Sequence, residues 1–445
     1  MSLTPSLAVF RHRAYAHFWV MRVAAGVATQ MLSTAIGLQV YDLARLTMPV
    51  EQAAFLLGFI GLAQFLPLLM FSLLGGVVAD RFDRKLILVV ALVVRMTVVL
   101  SLLGVALLIA SGMPPLSALP AIFAAAAVLG LLNAFFPAAS QALLPRIVPR
   151  GELPQAIAWN SLGFQGAAIS GPAFGGLLYV GGPETVYAVS AALYVLAGVL
   201  IASARTPKHV PLGNVRTVAM VKEGLAYVWG NKVVFGAISL DLVVVLFGGA
   251  TALLPVFARD ILHVGPTGFG LLRAAPAAGA AVVALILATT AIRSHVGKWM
   301  LASVAVYGAA MLVFGVSTLF WLSLLALAIT GAADMISVYV RQSLIQLATP
   351  DAMRGRVSSV SFIFISGSNE LGEFESGVAA RFLGPVGAVI LGGVVAMGAA
   401  VAWFRLFPQL THTNTFEDAV HEDNRAEETA DVAAAADTRT ASKPL

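Results

Sequence analysis

Glu370 and Glu373 stand one helical turn apart within an otherwise apolar stretch of this 445-residue chain. Two carboxylates on one helix face in a poorly solvated place cannot both stay ionised cheaply, which is the property of a site that takes up and returns a proton. The same face carries Ser366 and Gly377, since positions three, four and seven apart align on a helix. In the preceding stretch Asp334 and Arg341, seven apart, share a face likewise. Arg22, Arg95, Asp241, Arg273 and Glu375 complete the charges set among apolar residues. A charge at mid-bilayer costs at least about 2.5 kcal/mol, so each is expected to serve coupling or ligand binding. At about 1.5 Å of rise per residue, Arg95, Asp334 and Glu370 fall nearest mid-depth. A structural alternative stands beside that reading: Asp334 with Arg341, and Arg22, as permanent ties between helices, and Arg273 and Glu375 as side chains snorkelling near a boundary.

Two further groupings concern movement. Gly76, Asp80, Arg81, Asp83, Arg84 and Lys85 place five charges and a glycine between two long apolar runs, the composition of a tight hinge between helices. Gly76 is expected to permit close approach of a neighbouring helix, and the Asp80 carboxylate is favoured beside a helix N-terminus. Gly163, Gly166, Gly171, Pro172, Gly175 and Gly176 line up in a later run. Glycines so spaced build a flat packing face, and Pro172 loosens the hydrogen-bond ladder. The plainer reading is a general small-residue contact face. Trp19, Met31, Phe65, Phe135, Phe136 and Phe247 are candidates for lining an apolar cavity, with core or lipid contact as the alternative.

The elements that must position these groups are membrane helices. Hydrophobic residues make up 59% of the chain and charged residues 11%, against about 25% charged in soluble domains. A bilayer core of about 30 Å takes about 20 apolar residues per helix. Twelve such runs follow one another: 16–41, 52–79, 86–110, 118–143, 155–181, 184–204, 233–258, 267–291, 298–319, 321–347, 357–383 and 385–407. The breaks at 180–184, 320–321 and 384–385 are the shallowest.

Basic residues gather on alternate breaks: Arg11 and Arg13, Arg81 with Arg84 and Lys85, Arg146 and Arg150, the 205–232 segment, Arg293 and Lys298, Arg354 and Arg356. By the positive-inside rule both termini are expected in the cytoplasm. The 205–232 break contains Pro207, Pro211 and Gly213 and divides the chain into residues 1–204 and 233–407 around a central linker. Within it, Val221–Trp229 reads as a short surface helix, Lys222 and Lys232 toward headgroups, or as plain linker. Residues 408–445 hold eight acids against three bases and read as a disordered acidic tail.

That tail masks a more basic body, and a net charge of +5 on a membrane surface requires no nucleic acid. The first run is too long for a cleaved signal and is expected to be retained. There is no cysteine, and His12, His17, His209, His263, His295, His412 and His421 lie at run ends, in breaks or in the tail, so no metal and no cofactor is expected. No Gly-x-x-x-x-Gly-Lys-Ser/Thr loop and no Ser/His/Asp constellation occurs, which argues against direct ATP drive and against an enzyme.

Two sets of six runs, a basic central break and the Gly76-to-Lys85 hairpin resemble the major facilitator superfamily over residues 10–407. The resemblance implies an all-α membrane protein of twelve transmembrane helices in two pseudo-symmetric six-helix bundles, which expose one central site to each side by turns. It also implies that Asp80 faces a helix of the other half while the hairpin arginines bridge neighbouring helix ends. Asp83 departs from the glycine the family often has there, leaving the turn geometry open. Gly171-Pro172-x-x-Gly175-Gly176 is similar to the fifth-helix signature of the superfamily's exporters. Thr349 to Val357, followed by Ser368 to Glu373, resembles the matching loop of the enterobactin-exporter-like and drug-efflux branch.

One feature common in proton-coupled exporters is missing: residues 120–144 carry no charge, only Asn133, Ser140 and Gln141 as polar groups. The implied activity is secondary export of a small amphiphilic or hydrophobic compound by a monomer in the bacterial inner membrane, driven by a proton or cation gradient. Glu370, Glu373, Asp241 and Asp334 are the expected ion carriers. An importer or lysophospholipid flippase on the same fold, and a non-transporting receptor or assembly factor, stay open.

Overall fold

Backbone polar groups in lipid must be satisfied within the segment itself, which leaves these runs the helix. The computed structural model describes residues 7–207, 217–290, 292–416 and 418, and no strand occurs among them. Before the long break come α1 (Arg13–Arg45), α2 (Val50–Arg81), α3 (Arg84–Ala110), α4 (Leu119–Ile147), α5 (Leu153–Leu178) and α6 (Pro183–Ser203). After residues 208–216 follow α7 (Thr217–Gly230), α8 (Lys232–Phe247), α9 (Leu254–Val256), α10 (Gly265–Thr289), α11 (Val296–Val316), α12 (Phe320–Leu347), α13 (Asp351–Leu406) and α14 (Pro408–His412). Ten segments among the described residues are long and apolar enough to cross a membrane. The glycine-rich α5 is not one of them, and Gly367–Leu406 enters as a single segment.

Two of the shallowest breaks are sharp reversals. Gly384 adopts φ +74°, a conformation L side chains rarely take, and Pro385 restarts the chain as a second limb of α13. Gly182 does the same at φ +92° ahead of Pro183. Conversely, the expected run 233–258 does not stay one helix: α8 stops at Phe247, and 3-10, α and π turns carry the chain to Ile261. The cause is packing. A Cβ on Gly249 would stand 2.6 Å from the Gly372 carbonyl carbon of α13, so this stretch lies flat against its neighbour.

The starts of α1, α3 and α5 share one face with the end of α6, here the terminal face. His12 meets Glu152 at 3.2 Å, and Lys85 Nζ donates to the Ala204 carbonyl at 2.8 Å. The ends of α1 and α5 lie on the opposite, far face. The main core gathers round Tyr15, Phe18, Met21, Tyr187 and Tyr194, and a second one joins α11, α12 and the second limb of α13 through Met300, Leu344 and Ala396.

α7 confirms a helix in the central break but packs on protein: Val228 is buried with Ile345, Val357 and Val360, and Glu223 pairs with Arg356 at 2.5 Å. The chain beyond 407 also begins ordered. Leu410 is fully buried, and the Thr413 carbonyl accepts from the Gly297 N–H at 3.2 Å, so an apolar anchor delays the acidic segment. Residues 419–445 lie outside the described residues.

Candidate functional site

The far face is closed by side chains the sequence reading passed over. Arg259 Nη2 lies 2.7 Å from Asp42 Oδ2, and Arg45 Nη2 lies 3.1 Å from Asp260 Oδ1. Tyr179 donates to Asp42 at 3.2 Å, and Tyr41 donates to Asp260. Both ion pairs tie the end of α1 to the turn after α9, across the division at 205–232. A signal for this clasp did exist: Asp42 and Arg45 share one turn at a helix end, and Arg259-Asp260 offers the complementary charges at the end of a later run.

Beneath the clasp, α2 crosses α13 and α5 crosses α10 with almost no side chain between them. A Cβ on Gly58 would stand 2.9 Å from Gly377 Cα, and one on Gly61 would stand 2.7 Å from Glu373 Cβ. At the second crossing a Cβ on Gly176 would come within 2.8 Å of Gly270 Cα. Glu370 and Glu373 therefore lie at the seam of the two halves. Arg273 of α10 donates to Ser33 of α1 at 2.8 Å and is an electrostatic neighbour of both glutamates without a direct ion pair. It is no snorkelling side chain, because helix packing turns it inward. It supplies a positive neighbour to Glu370 and Glu373 from a helix about 100 residues earlier in the chain. Glu375 is half-buried and, two residues on from Glu373, points to another side of the helix.

Closer to the terminal face, α1, α3, α4 and α5 surround a cavity of about 400 Å³. Arg22 donates to Ser140 at 2.5 Å, and Arg95 donates to Thr29 at 2.6 Å and to Asn133 at 2.9 Å. Arg95 is 4% exposed, with its guanidinium 5.0 Å from the Phe136 ring centroid, a cation–π distance. The polar groups of the uncharged fourth run are thus acceptors for cations from the helices beside it. Arg22 is held by a hydroxyl and not by an acid. Of the six aromatic and Met candidates, Trp19 and Phe136 line this cavity; Met31 is buried in the core, and Phe135 packs toward Phe71. Phe164, 64% exposed, lines it unanticipated.

Asp334 and Arg341 do not pair. Seven residues separate them by roughly 10 Å along the helix, and Arg341 instead contacts Asp241 of α8, both nearly buried at 3% and 7% exposure. Removing one member of a buried pair strands a charge, so loss of Asp241 would leave Arg341 uncompensated. Asp334 faces a small pocket with Asp241, Ser303 and Tyr307 and has no hydrogen bond or ion pair among the described residues.

In the hairpin, Asp80 is 41% exposed and its cation is Arg84, 3.8 Å away within the same half. Lys85 bridges to the end of α6, Arg84 is buried, and Arg81 is exposed at the end of α2. Asp83 caps α3 by accepting from the Lys85 N–H at 2.9 Å, which explains the departure from glycine. Gly76 opens on empty space and makes no close approach; Gly75, about 100° round the helix, abuts the α4 backbone at Ala134. The α5 glycines split as well. Gly163, Gly171 and Gly175 face α1, Gly176 and the Pro172 carbonyl face Gly270, and Gly166 meets nothing.

Comparison with known proteins follows the same lines. The family described as transmembrane secretion effector matches residues 4–437. The enterobactin exporter EntS of Citrobacter koseri is 27% identical over 399 residues, covering 88% of this chain and 87% of that protein. The inward-open xylose transporter XylE from E. coli superposes with a TM-score of 0.66 at 14% identity, covering 92% of this chain and 99% of the other. A bacterial homolog of the human lysosomal transporter Spinster gives 0.66 at 13% identity with 92% and 99% coverage. At these identities the two structures speak for the fold alone.

Proposed function

The chain belongs to the transmembrane secretion effector family of the major facilitator superfamily, and from that premise, a multi-pass inner-membrane secondary transporter and no enzyme, we propose that it exports its cargo by alternating access. Twelve spans, α1–α6 with α8 and α10–α12 and the two limbs of α13, form bundles 1–204 and 233–407 about the linker 205–232. The terminal face and both termini are cytoplasmic, and the transporter works as a monomer.

One observation carries the reading: the far face is sealed between the halves by the Asp42–Arg259 and Arg45–Asp260 clasp and the glycine crossings, while a cavity of about 400 Å³ lies on the terminal side of that seal. A cargo entering from the cytoplasm waits below a closed outer gate. Gly171, Pro172, Gly175 and Gly176 let α5 rock against α1 and α10. Asp80, Arg81, Arg84 and Lys85 latch the terminal face in the opposite state, for which the partly exposed Asp80 side chain stands ready.

Proton influx drives the cycle. Glu370 and Glu373, beside Arg273 of the same bundle, gain or lose their contact with α2 across the seam as the halves move, and Asp334, which lines a small pocket, is a further carrier. The cargo is a small amphiphile such as a siderophore, drug or metabolite, the siderophore being suggested by the exporter of Citrobacter koseri. In inside-out vesicles with an acidic lumen, enterobactin as probe should accumulate. Asp80→Asn should slow this, and Glu370→Gln should abolish its dependence on the pH gradient. Accumulation only in right-side-out vesicles would mean import.

A further inference from the structure

Residues 1–204 hold six acids, Asp42, Glu51, Asp80, Asp83, Glu152 and Glu184, and every one stands at a helix end. The interior of these helices therefore contains cations and no anion. Arg22 and Arg95 both reach the 400 Å³ cavity, and their partners there are the neutral oxygens of Ser140, Thr29 and Asn133. Neither makes an ion pair among the described residues, and Arg95 Nε, buried, has no acceptor. An isolated buried charge loses several kcal/mol of solvation, which hydroxyl and amide acceptors offset in part. Two guanidinium groups left so in one cavity fit a site whose counter-charge arrives with the ligand.

The rest of the lining says what carries that charge. Trp19, Phe136 and Phe164 offer ring faces and edges, so the ligand has flat apolar surface to stack. Asn160 Oδ1 lines the same cavity, buried and without a hydrogen-bond partner, an acceptor for a ligand hydroxyl or N–H. A cavity of this size holds a small molecule.

We propose that this cavity, within the first six helices alone, selects an aromatic organic anion, with Arg22 and Arg95 as its charge receptors, stacking on Trp19, Phe136 and Phe164, and a donor group turned to Asn160. The inference rests on the export reading only in naming the cargo; the binding preference stands apart from it. No covalent step is involved.

The experiment uses the full chain in phosphatidylcholine nanodiscs, with empty discs as blank, and quenching of tryptophan fluorescence as readout. The probes are 1-naphthoate, its neutral counterpart 1-naphthylmethanol and the cationic 1-naphthylmethylammonium. Charge-assisted hydrogen bonds in a desolvated site should favour naphthoate over the alcohol by roughly tenfold or more. Arg95→Gln and Arg22→Gln should erase that preference, and Arg22→Lys should keep most of it. Equal binding of the three probes by the unaltered protein, or preference for the ammonium, overturns the proposal without recourse to any variant. Flux separates the two readings: naphthoate bound selectively but nothing exported from vesicles leaves the anion site and removes the exporter, and export with no charge preference does the reverse.

Discussion

Opening of the far face should be governed by the clasp, and its strength can be worked from the structure. The side chains of the Asp42–Arg259 pair are 34% and 32% exposed and those of Arg45–Asp260 36% and 27%. At about one-third exposure, solvent screening leaves each pair roughly 1 kcal/mol. The Tyr41 hydrogen bond to Asp260 adds about 1 kcal/mol. The whole clasp thus contributes about 3 kcal/mol, or about 150-fold in the balance between the closed and open far face, at 1.4 kcal/mol per tenfold. Asp260→Asn, losing a pair and most of the Tyr41 bond, should raise the open population about 30-fold by the same conversion, and Asp42→Asn about fivefold.

The chain has no cysteine, so a single introduced thiol reports without background. Gly37 is buried below the clasp, and a Cβ there meets nothing nearer than Pro255 Cγ at 3.8 Å. Gly37→Cys should therefore be tolerated, and it should react with an impermeant maleimide added outside only when the far face opens. The labelling rate should climb in the order unaltered, Asp42→Asn, Asp260→Asn, double variant, and 1 M NaCl should shrink the differences by screening. A labelling rate that is the same in all four proteins would refute the gate.

Other expectations follow from neighbouring contacts. Gly61→Val should prevent α2 from closing on α13, since even a Cβ would lie 2.7 Å from Glu373 Cβ; transport should fall to background while Gly37→Cys labels fast. Asp241→Asn should lower stability by about 3–5 kcal/mol by stranding buried Arg341, read as thermal unfolding in detergent, and Asp241→Leu with Arg341→Met should recover much of it. Asp83→Ala should lose about 1 kcal/mol of capping at α3, seen in the same assay, with Asp83→Ser nearly neutral. Asn133→Leu should weaken naphthoate binding by misplacing Arg95 while leaving the clasp-dependent labelling rate untouched.

Helices were legible because their cause is local. An apolar run in lipid has no partner but its own backbone, so length and hydropathy located most of α1–α6, and Gly384 with Pro385 marked a reversal through residues adjacent in the chain. The charges within the runs were legible for the same reason, as each stands out against its apolar neighbours. Their partners were not, because pairing across helices depends on which faces meet. Arg341 reaches Asp241 and not Asp334 on its own helix, and Arg273 turns to Ser33 and the Glu370/Glu373 seam instead of to headgroups. Asn133 and Ser140, ordinary polar residues in sequence, become the acceptors for Arg95 and Arg22 only once α3 and α1 stand beside α4. Gly75 and Gly176 rather than their neighbours carry the tightest approaches, a matter of about 100° of helix rotation that spacing alone leaves undetermined. Composition and periodicity thus determined which segments enter the bilayer, and tertiary packing decided which charges meet, which stay open for a ligand, and where the two halves touch.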